Sequence, residues 1–199
     1  MKKNKFIAIA LLAVMALSVG CSDGSTVSNT SSGDSQSAGD TLSLEGIAQN
    51  EITANVSEDV TANDTTFRLN RVINSGNTDE NGNPYIYLDV NISNATDKEY
   101  ELSVLNNFYV LLADNSEVHF DIKTQLYAAN SIENYSSSPF TIPANADFSG
   151  IVGGFILPKD TQDFTVCFFP TKDNKSDKTN VMKVSVSAQN MDTLTPPAE

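Results

Sequence analysis

From about residue 50 onward, apolar and polar residues alternate with a period of two. In Ile86-Tyr87-Leu88-Asp89-Val90-Asn91-Ile92 the aliphatic residues take every second place. Successive side chains of a strand point to opposite faces, so one face of this strand is expected buried and the other wet. Leu88 and Val90 are then core residues, and Tyr87 and Asp89 face outward. Phe67 to Asn70 and Tyr100 to Val104 alternate in the same way. Asn107–Leu112 and Val118–Phe120 flank the turn-rich Ala113-Asp114-Asn115-Ser116-Glu117, which predicts a hairpin. Phe148–Leu157 and Phe164–Phe169 are strands closed by Pro158 and Pro170, and Val181–Ser187 is the last. With Ile52–Val56 at the start, eight or nine strands fit into about 140 residues. That density predicts an all-β, immunoglobulin-like antiparallel β-sandwich.

The chain before residue 50 follows other rules. Lys2, Lys3 and Lys5 precede an uncharged apolar run, Phe6 to Val19, of fourteen residues. That is the length of a signal-peptide core; a membrane-spanning helix needs about twenty. The run closes on Leu17-Ser18-Val19-Gly20-Cys21, which resembles the lipobox of bacterial lipoproteins, with Ser18 where that motif usually carries leucine. The resemblance implies diacylglyceryl transfer to the Cys21 thiol and cleavage between Gly20 and Cys21. Residues 22 to about 45 are dominated by Ser, Gly, Thr, Asp and Asn, too few apolar groups to offset the entropy of ordering. They read as a tether with a reach on the order of 30 Å. The expected order is therefore signal 1–20, lipidated Cys21 and tether 21–49, sandwich 50–188 and polar tail 189–199. The lipid anchor would hold the domain on the extracytoplasmic face of a cell membrane, in a Gram-positive type of bacterium.

Charge narrows the class of partner. The formal charge is −13; losing residues 1–20 removes three of twelve basic residues and none of the 25 acidic ones, leaving −16. Such a surface repels nucleic acid. The cysteines are Cys21 and Cys167. With Cys21 lipidated, Cys167 has no partner for an intrachain disulfide, and its strand context makes it a small buried hydrophobe.

Candidate chemistry is sparse. His119 is the sole histidine of the sequence and is expected at the surface, with no nucleophile context such as GxSxG. Asp79-Glu80-Asn81-Gly82-Asn83 has oxygen side chains at alternate places, but its glycine comes too early for an EF-hand and Val90 stands at the twelfth place. A plain turn is expected. No cofactor, metal site or enzymatic activity is anticipated. The segment from Asp121 to Phe140 is long for a sandwich connection. A helical turn or two around Thr124–Asn130 would pack on the sheet; alternatively, Tyr127 and Tyr135 would contact a partner.

One further resemblance rests on particular residues. Tyr85 to Asn94, then Phe108-Tyr109-Val110-Leu111-Leu112-Ala113-Asp114, then Ile142-Pro143-Ala144-Asn145-Ala146-Asp147 leading into Gly150 to Pro158, are similar to the telokin-like, immunoglobulin-fold domain of unknown function. That domain occurs behind lipoprotein signals in Gram-positive bacteria and belongs with the immunoprotective extracellular immunoglobulin-like proteins. The family often has Gly where Asn145 stands. These are core and turn residues, so the resemblance implies fold and setting rather than activity. Together the features lead to a lipid-anchored binding module with an unknown protein or envelope ligand. A small-ligand or ion-binding lipoprotein is the alternative.

Overall fold

The structure, a computed structural model, describes residues 47–173 and 175–194. The signal residues 1–20, the lipidation residue Cys21, the Gly20–Cys21 cleavage point and most of the tether lie outside them.

In chain order the first strands are β1 (Asn50–Asn55), β2 (Val60–Ala62), β3 (Thr65–Thr78), β4 (Pro84–Asn94) and β5 (Tyr100–Leu102). A single helical turn, α1 (Val104–Asn107), leads into β6 (Phe108–Leu112) and β7 (Glu117–Val118). The helix α2 (Ile122–Ser131) precedes β8 (Phe140–Ile142), β9 (Ala146–Ile156) and β10 (Asp163–Phe168). Last come β11 (Thr171–Lys172), β12 (Lys175–Ser176), β13 (Asn180–Ser187) and β14 (Asp192–Thr193). Seven of these strands span five residues or more, the others two or three; the shorter ones escape periodicity because two residues carry no period.

Two five-stranded sheets face each other: β1-β13-β10-β6-β7, and β14-β3-β4-β9 with β2 added to β3. The fold is the expected β-sandwich. Its interior ladders are antiparallel, but two edges are not: β1 lies parallel to β13, and β14 parallel to β3. The β14 pairing also carries the fold past Ser187 to Leu194, into residues expected as a tail.

The alternation found in the sequence builds the core. Leu69, Leu88, Val90 and Ile92 from one sheet meet Val110, Val166, Met182 and Val184 from the other, all essentially without solvent exposure. Phe67, Phe108 and Phe168 form an aromatic centre, with ring centroids 4.7–6.2 Å apart. Burial of one such side chain contributes about 1.5–3 kcal/mol. Cys167 is fully buried on the other face of its sheet, in a cluster with Tyr109, Leu111, Phe169 and Val181.

Tyr87 corrects the simple two-faced reading. It points away from the sandwich interior as its register requires, yet it has no solvent exposure. The outer face of the β3–β4–β9 sheet is roofed there by α2, and Tyr87 lies beneath it with Ile73 and Ala128. Asp89, two residues on, does reach solvent and binds Arg71 at 2.8 Å.

Candidate functional site

The roof begins with a local signal. Asp121 caps α2, accepting the Lys123 N–H at 2.7 Å, and the Thr124 hydroxyl donates back to the Asp121 carbonyl at 2.6 Å. Between the caps lie Lys, Gln, Leu and two Ala, good helix formers, with neither Gly nor Pro. Thr124 and Ala128, one turn apart, are the fully buried residues of the helix. Both are small, so the axis approaches the sheet closely.

The sheet makes room with a bulge. Register between β4 and β9 shifts so that Ile86 pairs with Phe155 and Leu88 with Val152, leaving Gly153 and Gly154 opposite Tyr87. Their φ angles are +100° and +131°, open to glycine and strained for other residues. The bulge carbonyls receive donors from the roof. Tyr135 Oη donates to Gly153 O at 2.8 Å, and the Asp121 N–H to Gly154 O at 2.9 Å. A side chain on Gly154 would overlap the Thr124 hydroxyl. The pair Gly153-Gly154 inside a strand-forming run is the sequence signal for this seat.

The tyrosines complete it. Tyr87 Oη donates to the Thr124 carbonyl at 2.8 Å. Its ring meets Tyr135 edge-on at 5.8 Å, and Tyr85 meets Tyr127 edge-on at 6.2 Å. Burial pushes the Tyr87 and Tyr135 hydroxyls well above the usual tyrosine range, so both remain protonated donors. Past the helix, residues 134–136 pair with the β9 edge: Ser136 N donates to Ile151 O at 2.8 Å and Ile151 N to Asn134 O at 3.2 Å. That contact covers part of an exposed strand edge.

Tyr127 and Tyr135 are thus both partly buried against the sheet, and Tyr135 has its hydroxyl committed within the fold. What α2 presents outward is different. Ile122 and Leu126, one turn apart, are 56% and 62% exposed. These residues are apolar, and Lys123 is the only charged residue within α2. On a strongly acidic protein this is an exposed aliphatic pair beside a single lysine and no carboxylate of the helix.

The remaining candidates are structural. Asp79 accepts the N–H groups of Asn81 and Asn83, both at 2.8 Å, and the Asn83 side chain at 3.0 Å. These bonds hold its carboxyl below the usual range and close a turn at Gly82. His119, expected at the surface, is half-buried, with Nε2 3.1 Å from the Glu117 carboxylate; residues two apart on a strand share a face. Among the described residues no group of three or more His, Cys, Asp or Glu is placed to hold a metal ion. Nor is any helix among them long and apolar enough to cross a membrane.

Residues 54–179 match a family described as a domain of unknown function, DUF4352. Among curated proteins no match was found. Similar solved structures include a provisionally assigned lipoprotein, ycdA, of Bacillus subtilis, at 10% identity and TM-score 0.49. The match covers 68% of this chain and 40% of that one, so this chain spans less than half of ycdA. An uncharacterised β-sandwich protein of Clostridium difficile matches at 12% identity and TM-score 0.41, over 70% and 96% of the two chains. The secreted protein MPT63 of Mycobacterium tuberculosis matches at 9% and 0.40, over 68% and 99%. The family match extends from the end of β1 to the start of β13, through the core strands, the glycine bulge and α2, and by it this chain belongs to the DUF4352 family.

Proposed function

We propose that this protein is a lipid-anchored, extracytoplasmic binding module that captures a protein or envelope partner on the outer face of α2. The observation that carries the reading is the pairing of a clamped helix with an exposed aliphatic pair. Ile122 and Leu126 stand on a helix fixed to the sheet by Tyr87, Asp121 and Thr124. Side chains held on a rigid element lose little entropy when a partner covers them. The helix carries Lys123 and no carboxylate, so this face adds nothing to the repulsion a partner meets from the surrounding acidic surface. The resemblance of Tyr85 to Pro158 to telokin-like domains and the lipobox resemblance of Leu17 to Cys21 support the setting.

Two experiments test this. Cys21→Ala should abolish lipid labelling and release the protein from the membrane fraction; unchanged membrane association would refute the anchor. In capture from envelope fractions, Ile122→Ser with Leu126→Ser should lose the partner while the melting temperature holds. Retained capture by that variant would remove α2 from the contact.

A further inference from the structure

The outer face of the β1-β13-β10-β6-β7 sheet is dry where an outer face is ordinarily wet. Tyr109, Leu111, Cys167, Phe169 and Val181 stand on it, each between 0% and 8% exposed. The burial is confined to one end, since further along the same face Thr165 is half-buried and Ser185 exposed. In a single chain, such side chains lose their water only beneath other parts of that chain. The described residues supply little of this cover. Ala48 packs, partly buried, against the cluster. The Lys178 ammonium lies 5.8 Å from the centre of the Phe169 ring. Lys183, opposite Cys167 in register, is drawn to the sheet edge by Glu51 at 2.9 Å.

The path of the chain points to the missing cover. The N–H groups of Gln49 and Asn50 both donate to Thr179 O, at 2.9 and 3.1 Å, which fixes Ala48 beside the start of β13. Ala48 packs on the cluster while Ile47, its neighbour, is 44% exposed. Carried upstream with the period of two of extended chain, that phase turns Leu44 and Leu42 toward the cluster and Glu45 and Ser43 toward water. Reach is sufficient. At about 3.3 Å per residue Leu44 comes within roughly 13 Å of Ala48 and Leu42 within roughly 20 Å, whereas β6 lies two strand spacings, about 10 Å, from β13. The other end of the chain starts on the wrong side, because Leu194 packs with Ile73 and Tyr87 on the outer face of the opposite sheet.

We propose that Leu42 and Leu44 form a strap that closes the outer face of this sheet over Tyr109, Cys167 and Phe169. The occupant of the face is the protein's own chain, and the tether then ends at about residue 41. The strap does not depend on the reading of α2. With Cys21 lipidated, it would bring the anchored end of the chain to this sheet and leave α2, on the outer face of the other sheet, to meet a partner.

Cys167 reports on the strap. The test is the rate at which an uncharged maleimide labels it in the full chain carrying Cys21→Ala, where Cys167 is the only thiol. Labelling of this parent should be slow and independent of protein concentration. Leu42→Ser with Leu44→Ser should accelerate it by about tenfold or more, and Leu44→Ala alone by less. Leu42→Met with Leu44→Met should leave it slow, as should Ser43→Asp in the outward phase. Hydrogen exchange in β4, across the sandwich, should keep the parent's protection, which separates a lifted strap from an unfolded domain. Should the double serine variant lose that protection, Leu44→Ala carries the comparison. Fast labelling of the parent, protection that grows with protein concentration, or leucine variants labelled no faster than the parent would overturn the proposal.

Discussion

The hydroxyl of Tyr87, at the middle of β4, donates to the main-chain carbonyl of Thr124 in α2 at 2.8 Å. This bond crosses from the sheet's outer face to the helix that roofs it, with both residues fully buried. Tyr87→Phe keeps the ring and loses the bond, so it should cost about 1 kcal/mol in denaturant unfolding. Tyr87→Ala also opens a cavity and should cost about 3–5 kcal/mol. A Tyr87→Ala cost as small as that expected for Tyr87→Phe would mean that the helix does not cover this face.

Gly154 should tolerate no side chain. Its φ of +131° and the Thr124 hydroxyl in the path of a Cβ both oppose Gly154→Ala. We expect a loss of roughly 2–4 kcal/mol, with hydrogen exchange accelerated in α2 before the core strands. A neutral substitution would show that the bulge relaxes freely.

The two faces of β4 should respond unequally beyond the roof. Leu88→Ala removes a fully buried side chain and should cost about 2–5 kcal/mol. Asp89→Ala breaks a partly exposed pair with Arg71 and should cost about 1 kcal/mol or less. Urea unfolding of the two variants measures the contrast, and equal losses would contradict the register.

These comparisons mark where the sequence was legible. Phe67, Leu69, Leu88, Val90 and Ile92 announce a half-buried sheet because period-two burial is written locally in each strand. Tyr87 did not announce its burial. A tyrosine between two aliphatics reads as the wet side of a strand, and its cover comes from residues some forty positions away. The parallel edges β1 and β14 were equally hidden, since alternation within a strand says nothing of its neighbour's direction. Part of the seat was readable: Asp121 ahead of helix formers marks a cap, and Gly153-Gly154 marks a bulge. Ile122 and Leu126 could be assigned to the outward face only once Thr124 and Ala128 were seen to face the sheet.

Acid should weaken the fold partly through Asp177. Burial pushes its carboxyl up, but bonds from Asn63, the Thr179 side chain and N–H, and Asn180 outweigh that and hold it below the usual range. A carboxyl lowered in the folded state stabilises above its unfolded value, about 3.9, and that contribution is lost as pH falls through the folded value. Melting temperature followed from pH 5 downward should fall less steeply in Asp177→Asn than in the parent. Identical slopes would show that these bonds carry no linkage.

The central claim is that α2 is a fixed platform, clamped by Tyr87, Tyr135 and the glycine bulge, with Ile122 and Leu126 left to meet a partner. Native-state hydrogen exchange of the α2 amides tests it most directly. The hydrogen-bonded amides from Gln125 to Ile132 should exchange only through openings close in free energy to those of β4, and Tyr87→Phe with Tyr135→Phe should lower that protection selectively. Exchange of these amides at the rate of unstructured peptide in the parent protein would contradict the account.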